Sequence, residues 1–477
     1  MSFDPTVKHP SYEAFAPSWQ LMRDAMDGED EIKSKGETYL PMKSGTRAIA
    51  DSALRTASYE AYKLRAEFPE LVAPTVRGSV GTILDQAASI ELPAALEPLR
   101  LRATRDGLTL EALHRRITLE LIVTGRYGLL PGMDGAGNPY LAGYVTEAVI
   151  NWDLDDEQHT NFVMLDESGA KRDPVTGKWD TVEAYRECQV ENGVYRSLVW
   201  TKVGGQWQSS DPVEARDGKR QPLETVPFVF INTNDLSPEP DDVPLYGLAK
   251  LAVRVYRLDA DYTFALHMTS EPTPWVNGFS DAKQAITDGN TPTSIGSSSL
   301  WILPENAQAG FLEFTGAGLS AQEKAIQNSL QRAVLFGANL LADHQKTAES
   351  GEAIKLRLGN QTSTLKTIAM TSAAGLERAL KNVATWMGES PDKVSVKPNL
   401  DFFDHALSPQ EITAIVAGWQ AKAYPRRVMF DRFQKGELIS QDETFDTYSD
   451  ALDAESEEQR LTGNAMDLVN GNPPPAE

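Results

Sequence analysis

The chain is 477 residues long, with 45 basic against 68 acidic side chains and a formal net charge of −23. Two to four structural modules fit that length, and the charge argues against a static nucleic-acid clamp, whose gripping face must neutralise phosphates. The single cysteine, Cys188, excludes an internal disulfide or a cysteine-built metal site and fits a reducing cytoplasm.

The first ten residues lack the basic start and apolar run of a signal peptide. No later run approaches the ~20 apolar residues of a membrane span, so no membrane partner is expected. Residues 12–27, carrying Trp19, Leu21, Met22 and Met26, read as a short amphipathic helix. Residues 50–67 read as a second, with Leu54, Tyr59, Tyr62 and Ala66 inward and Pro69 ending it. Residues 72–84 predict a helix weakened by Gly78 and Gly81. Residues 109–123 predict a stronger one, with Leu110, Leu113, Ile117 and Leu121 on one side. From Gly125 the period changes to that of strands. Residues 127–130 and 140–150 flank a turn-rich connection, and 162–165, 183–190, 195–203 and 228–232 extend the β region. Gly132, Gly135 and Gly137 match neither phosphate-loop spacing and read as turn formers.

Residues 245–359 carry the clearest pattern: helix, small loop-and-strand excursion, broken helix, polar loop. Leu248, Leu251, Val255, Leu258, Tyr262 and Leu266 recur at three- and four-residue steps. Lys250, Arg254, Arg257, Asp261 and His267 stand opposite, so one face packs and the other is polar. Pro272 and Pro274 stop this helix, and an excursion from Trp275 to Pro304 follows. A second helix is expected near Ser320, where Glu323 completes a capping box and Ile326, Leu330, Val334 and Leu341 continue its stripe. Gly337 inside it costs about 1 kcal/mol relative to alanine and predicts a bend. Residues 343–359 are polar and mixed in charge. Helix resumes over 363–387, with Leu365, Ala369, Ala373, Leu376, Leu380, Val383 and Met387 in step and Gly388 as a stop. Ser408-Pro409-Gln410-Glu411 opens a further helix with Ile412, Ile415, Val416 and Trp419 inward. Residues 428–435 and a segment capped at 440–443 follow. Residues 436–477 hold 11 acidic side chains against one basic, Arg460, and their end is expected to be disordered.

This order resembles the portal proteins of tailed bacteriophages, in which two stem helices flank a clip, the second stem helix is kinked and a tunnel loop follows it. The resemblance is carried by Tyr256-Arg257-Leu258-Asp259-Ala260-Asp261-Tyr262 running into Pro272-Thr273-Pro274-Trp275-Val276-Asn277-Gly278. Ala348-Glu349-Ser350-Gly351-Glu352-Ala353 ahead of a long helix adds to it, as does Gly28-Glu29-Asp30-Glu31-Ile32-Lys33 leading to Tyr39-Leu40-Pro41. It covers most of the chain, and the order of elements carries it rather than a short motif. It implies an α+β fold with an α/β wing (1–244), a first stem helix (245–271), a small α/β clip (272–312) and a second, kinked stem helix (313–342). A tunnel loop (343–361), the wing's long helix (362–400), a helical crown (401–465) and a disordered tail (466–477) complete it. It further implies a non-enzymatic, cofactor-free subunit of a closed homo-oligomeric ring of about twelve copies, placed at one capsid vertex of the virion. Its implied partners are double-stranded DNA, terminase, a head–tail adaptor and the major capsid or scaffold protein. His344, Lys346, Lys355 and Arg357 are the DNA-contacting residues expected in the tunnel loop, against the alternative of solvation or pairing with Glu349 and Glu352. Trp275, Asn277 and Trp301 are the expected partner contacts of the clip, against the alternative of packing inside it. Under this resemblance the acidic charge gains a reading, since an acidic channel repels phosphates and lets the duplex slide.

Little in the chain points to catalysis. None of the six histidines pairs at four-residue spacing, and no His-Glu-x-x-His, Gly-x-Ser-x-Gly or P-loop pattern occurs. Asp153, Asp155, Asp156 and Glu157 are the densest mid-chain carboxylates. A two-metal nuclease needs convergent acids, whereas neighbours on a loop point apart, so no metal site is expected. Asn360-Gln361-Thr362 matches a glycosylation sequon that has no meaning without secretion. The rival readings are another phage head or adaptor structural protein, a metal-dependent nucleic-acid enzyme using Asp155 or Asp156, and an interaction scaffold without DNA.

Overall fold

Local chemistry starts and stops the N-terminal helices of the computed structural model, which describes residues 3–271, 273–289, 291–292, 294, 300–312, 316, 318–335, 351–400, 402, 409–435, 438–440 and 443–454, with 351–362 as backbone. His9 accepts from the Ser11 amide ahead of helix Pro10–Asp27. Asp51 accepts from the Ala53 and Leu54 amides ahead of Ser52–Arg65, and Thr109 from the Ala112 amide ahead of Leu110–Thr124. Gly125 closes the last of these at φ 79°, where a Cβ would stand 3.3 Å from the carbonyl oxygens of Asp241 and Asp242. These helices and Val72–Ile83 bury Trp19, Met22, Val76, Val80, Leu113, Ile117 and Leu121. Arg23 bridges outward from the first helix, 2.6 Å from Glu120 and 2.7 Å from Glu147, so two carboxylates offset the desolvation of one cation.

Two compact units divide between Leu400 and Asp401, and the first mixes helix with antiparallel sheet. Its three-stranded sheet has the order Val229–Asn232, Arg126–Met133, Pro139–Val145. A six-stranded sheet runs Gln206–Ser209, Val194–Val203, Ala184–Glu191, Thr160–Asp166, Val149–Leu154, with Val213–Glu214 also on Val194–Val203. Arg126 lies fully buried between the rings of Trp152 and Phe230, at 4.2 and 4.8 Å, and donates from Nη2 to the Pro238 carbonyl at 2.5 Å.

The long helix Gly351–Met387 packs on the three-stranded sheet and on Leu110–Thr124. Leu365, Ala369, Ala373, Leu376, Leu380 and Val383 are all buried, and Ile368 and Ala379 widen the buried face. Full burial of each large apolar side chain contributes about 1.5–3 kcal/mol. His114 Nε2 meets Ser372 Oγ at 3.1 Å inside this contact, and Gly375 lets the helix settle onto Ile231. Ser89–Glu91 pairs with Ser395–Lys397 beyond the helix.

In the second unit, helices Pro409–Gln420 and Arg426–Lys435 precede a helix over 445–454. Met429 and Phe430 are buried, and the Phe430 ring lies 5.5 Å from Phe445 and 5.1 Å from Tyr448.

Some elements depart from the sequence reading. Residues 140–150 form two strands split by the turn Thr146–Ala148, because the chain changes sheet there. Leu54 is 57% exposed, since Ser52–Arg65 packs through Tyr59 and Tyr62. The helix expected near Ser320 spans Leu319–Leu335, and the Gly318 carbonyl accepts its first helical bond. Ser320 therefore sits inside the first turn and forms no capping box with Glu323. Leu330 is exposed while Ser329 and Ala333 are buried. Among the described side chains of the expected stripe, Ile326 is half-buried and Leu330 is turned outward, with the small Ser329 and Ala333 inward instead. The segment 343–361 is not wholly a loop, because the long helix already begins at Gly351. Glu352, Ala353, Lys355, Leu356, Arg357 and Leu358 are strong helix formers, and their polarity describes a solvated helix as well as a loop. That helix ends at Met387 with Gly388 at φ +78°, as the sequence predicts, and the rest of 362–400 holds the turn Pro391–Lys393 and the strand Ser395–Lys397. Trp419 is 36% exposed, and Ile412, Ile415 and Val416 are half-buried. Gly337, Leu341 and the tail 466–477 lie outside the described residues.

Candidate functional site

The helix Tyr246–Ser270 positions the candidate site. Its first half buries Leu248, Ala249, Leu251, Ala252, Val253, Val255 and Tyr256, because Pro10–Asp27, Ser52–Arg65 and Val72–Ile83 pack around it. The face that periodicity assigns to solvent is taken up by residues 39–67. Arg257 Nε donates to the Tyr39 carbonyl at 2.6 Å, and Asp259 Oδ2 accepts the Glu67 amide at 2.8 Å. Asp261 Oδ1 accepts from Tyr62 Oη at 2.8 Å and lies 3.0 Å from Lys43 Nζ, which also sits 4.0 Å above the Phe264 ring. His267 Nε2 meets Arg65 Nη2 at 3.0 Å and Glu271 Oε2 at 3.3 Å. Burial raises the Asp259 carboxyl, with the Glu67 amide opposing, and burial together with Asp261 raises the Tyr62 hydroxyl. Lys250 lies 4.5 Å from the Tyr246 ring centroid, and Arg254 is exposed.

The helix Leu319–Leu335 packs back along Tyr246–Ser270. Gly316, just before it, has Thr269 and Leu319 as its neighbours, so the end of one helix meets the start of the other and the pair is antiparallel. Between them Thr273–Asn277 pairs antiparallel with Gln308–Leu312, and the short helix Ala282–Thr287 lies in the connection. Trp275 lies across Gly310, where a Cβ would stand 3.1 Å from the indole, a close approach that glycine accommodates without moving the ring. Asn277 Oδ1 accepts the Gln308 amide at 3.1 Å. Trp275 and Asn277 thus share one strand face. Trp301 stands apart in the connection and donates from Nε1 to the Ser294 carbonyl at 2.7 Å. Trp301 is therefore engaged inside the module, whereas Trp275 is 40% exposed.

Trp275, Ile286, Leu300, Ile302, Phe311 and Leu312 of this module and Leu266, Met268 and Leu330 of the helix pair are all exposed, and large apolar side chains left in water are candidates for burial in an interaction surface. Of the four cation-bearing residues expected to contact DNA, Lys355 and Arg357 fall on helical backbone, and His344 and Lys346 lie outside the described residues. The structure does not bring the acids of 153–157 together. Asp155 Oδ1 accepts the Glu157 and His159 amides and Asp153 Oδ1 the Leu154 amide, so these carboxylates shape a turn. Among the described residues no group of three or more His, Cys, Asp or Glu side chains is placed to hold a metal ion, and no helix is long and apolar enough to cross a membrane.

Sequence reasoning missed the ties from residues 39–67, because Tyr62 and Asp261 are 199 positions apart and nothing local links them. It also missed the hairpin Gly169–Arg172 with Trp179–Val182, although Asp173-Pro174-Val175-Thr176-Gly177 is a turn signal between two short alternating runs.

A family model described as a domain of unknown function (DUF4055) matches residues 244–387, the interval from the first of the paired helices to the end of the long one. No curated protein matches the sequence. Among solved structures, the chain is similar to a component of the neck of an empty GTA particle computed with C6 symmetry. The identity is 14% and the TM-score 0.34, over 74% of this chain and 85% of that one. It is also similar to a component of the neck of a native GTA particle computed with C12 symmetry, at 12% identity and TM-score 0.34, over 74% and 86%. Likeness of this depth assigns no function.

Proposed function

We propose that this chain is the repeating subunit of a portal-type ring, the connector at one capsid vertex through which double-stranded DNA is packaged and ejected. The observation that carries the reading is the antiparallel helix pair Tyr246–Ser270 and Leu319–Leu335, which presents a small strand–helix–strand module at one end. Such a pair suits a channel wall repeated about an axis, with the module at one mouth for a terminase or a head–tail adaptor. The exposed apolar residues of the pair and module are then buried between neighbours or against those partners. The wing is residues 1–244, and the long helix Gly351–Met387 returns to it. The tunnel loop lies ahead of that helix, where His344 and Lys346 make transient phosphate contacts, with Lys355 and Arg357 on the first turns behind. The subunit acts by geometry and needs no cofactor. A tight grip would defeat movement, and the net charge of −23 opposes one.

Mass photometry of the full chain tests the assembly. A ring gives a particle near twelve times the 52.4 kDa chain mass. A stable monomer or dimer under assembly conditions, or an imaged particle without a central hole, overturns the proposal. Mg²⁺-dependent nuclease activity lost on Asp155→Asn would support the enzyme reading instead.

A further inference from the structure

A β-hairpin, Gly169–Arg172 with Trp179–Val182, is inserted between Thr160–Asp166 and Ala184–Glu191 and is exposed along both strands. A two-stranded ribbon with no covered face is marginal on its own. This one nonetheless holds Trp179 in water at 67% exposure and Val175, at its turn, at 90%. Register sets Arg172 opposite Trp179, so guanidinium and indole share a face, with Lys178 adjoining. Asp173 of the hairpin accepts from the Val175 and Thr176 amides and from the Thr176 hydroxyl, and Asp180 stands opposite Lys171 in the strand register. An exposed Trp–Arg pair is the composition of an interface hot spot.

The same unit carries a complementary shape. A slot of about 430 Å³ has Trp152, Phe162, Met164 and Phe3 among its walls, and the exposed Asp4 and Asp153 also line it. An apolar floor beside two carboxylates fits an aromatic anchor, which buries about 150–250 Å², flanked by cations. Within one chain the hairpin is free of any such seat. We infer that the Trp179 hairpin of one copy seats in the Asp4–Asp153 slot of a second copy. The contact joins two different patches of identical chains, and such heterologous contacts close into rings when the rotation permits. This inference rests on the self-assembling part of the proposed function, not on DNA passage.

Cross-linking between variants tests it, because Cys188 is fully buried and stays silent. Full-length Lys178→Cys and Asp153→Cys proteins, mixed under assembly conditions and oxidised, should yield disulfide-linked pairs about tenfold above either variant alone, since the contact raises one thiol's local concentration at the other. Trp179→Ala should weaken association about thirtyfold, the scale of an aromatic hot spot. Arg172→Glu with Lys178→Glu should abolish the contact, and mixing that protein with Asp4→Lys/Asp153→Lys should restore it. If the wild type assembles but the mixture gives no heterotypic cross-link, or Trp179→Ala assembles like wild type, the hairpin contact is wrong and the ring reading stands. A monomeric wild type overturns the ring reading and the contact with it.

Discussion

Replacing Gly375 with alanine sets two effects against each other. Inside the long helix the change gains about 1 kcal/mol of helix propensity. A Cβ at this position, however, would stand 2.5 Å from both Cδ1 and Cγ1 of Ile231 and 2.8 Å from its Cγ2. Ile231 is fully buried, and both of its branches are within reach of the new methyl, so no single rotamer change clears the clash. Overpacking a well-filled core costs about 1–3 kcal/mol, so Gly375→Ala should destabilise by a net of about 1 kcal/mol. The urea midpoint of the full chain, followed by circular dichroism at constant slope, reads this directly. Ile231→Val alone should cost about 1 kcal/mol, yet it removes one of the two nearest atoms. The double variant should then be more stable than the sum of the single effects by about 1 kcal/mol, a coupling that only neighbours show. A stabilised Gly375→Ala, with additive effects in the double variant, would refute the docking of the long helix on strand Val229–Asn232.

Three further outcomes follow. Burial pushes the His114 imidazole down from 6.5 to about 4. Between those values the unfolded chain binds a proton that the folded chain does not, so its contribution is complete above pH 6.5 and is lost toward pH 4, by about 3 kcal/mol in all. His114→Gln should flatten that segment of the stability–pH curve, and an unchanged slope would contradict the buried neutral imidazole. Tyr62→Phe removes the hydrogen bond to Asp261 while Lys43 remains, and should lower the urea midpoint by the equivalent of about 1 kcal/mol; no shift would mean that water replaces the tie. Deleting residues 343–350 should leave assembled rings but impair DNA packaging or retention, and normal packaging by such rings would remove the tunnel-loop assignment.

Much of the architecture was legible because it is local. The helix over 109–123, the stripe from Leu365 to Val383, the stop at Gly388 and the prolines after Ser270 each act within a turn or two of the chain. The short apolar and β-branched runs that marked 162–165 and 195–203 likewise need only neighbours. The misplaced elements failed for an equally physical reason. Residues 351–361 include several polar helix formers, and polarity alone does not separate a polar helix from a loop. Leu54 and Leu330 lie on helical stripes, but packing partners chose other faces of their helices. Trp275 and Trp301 look alike in sequence, yet one lies across Gly310 with much of its ring in solvent and the other donates its indole hydrogen to the Ser294 carbonyl.

By itself the sequence determined the order of most elements, the helix–module–helix succession and the acidic charge, since periodicity, proline and glycine stops and formal charge are properties of short stretches. Only the tertiary structure decided which faces those elements bury. The polar side of Tyr246–Ser270 is matched by Tyr39, Lys43, Tyr62 and Arg65, and the long helix reaches Ile231 through Gly375. Burial is decided by what arrives opposite a side chain, and here the arriving residues lie more than a hundred positions away.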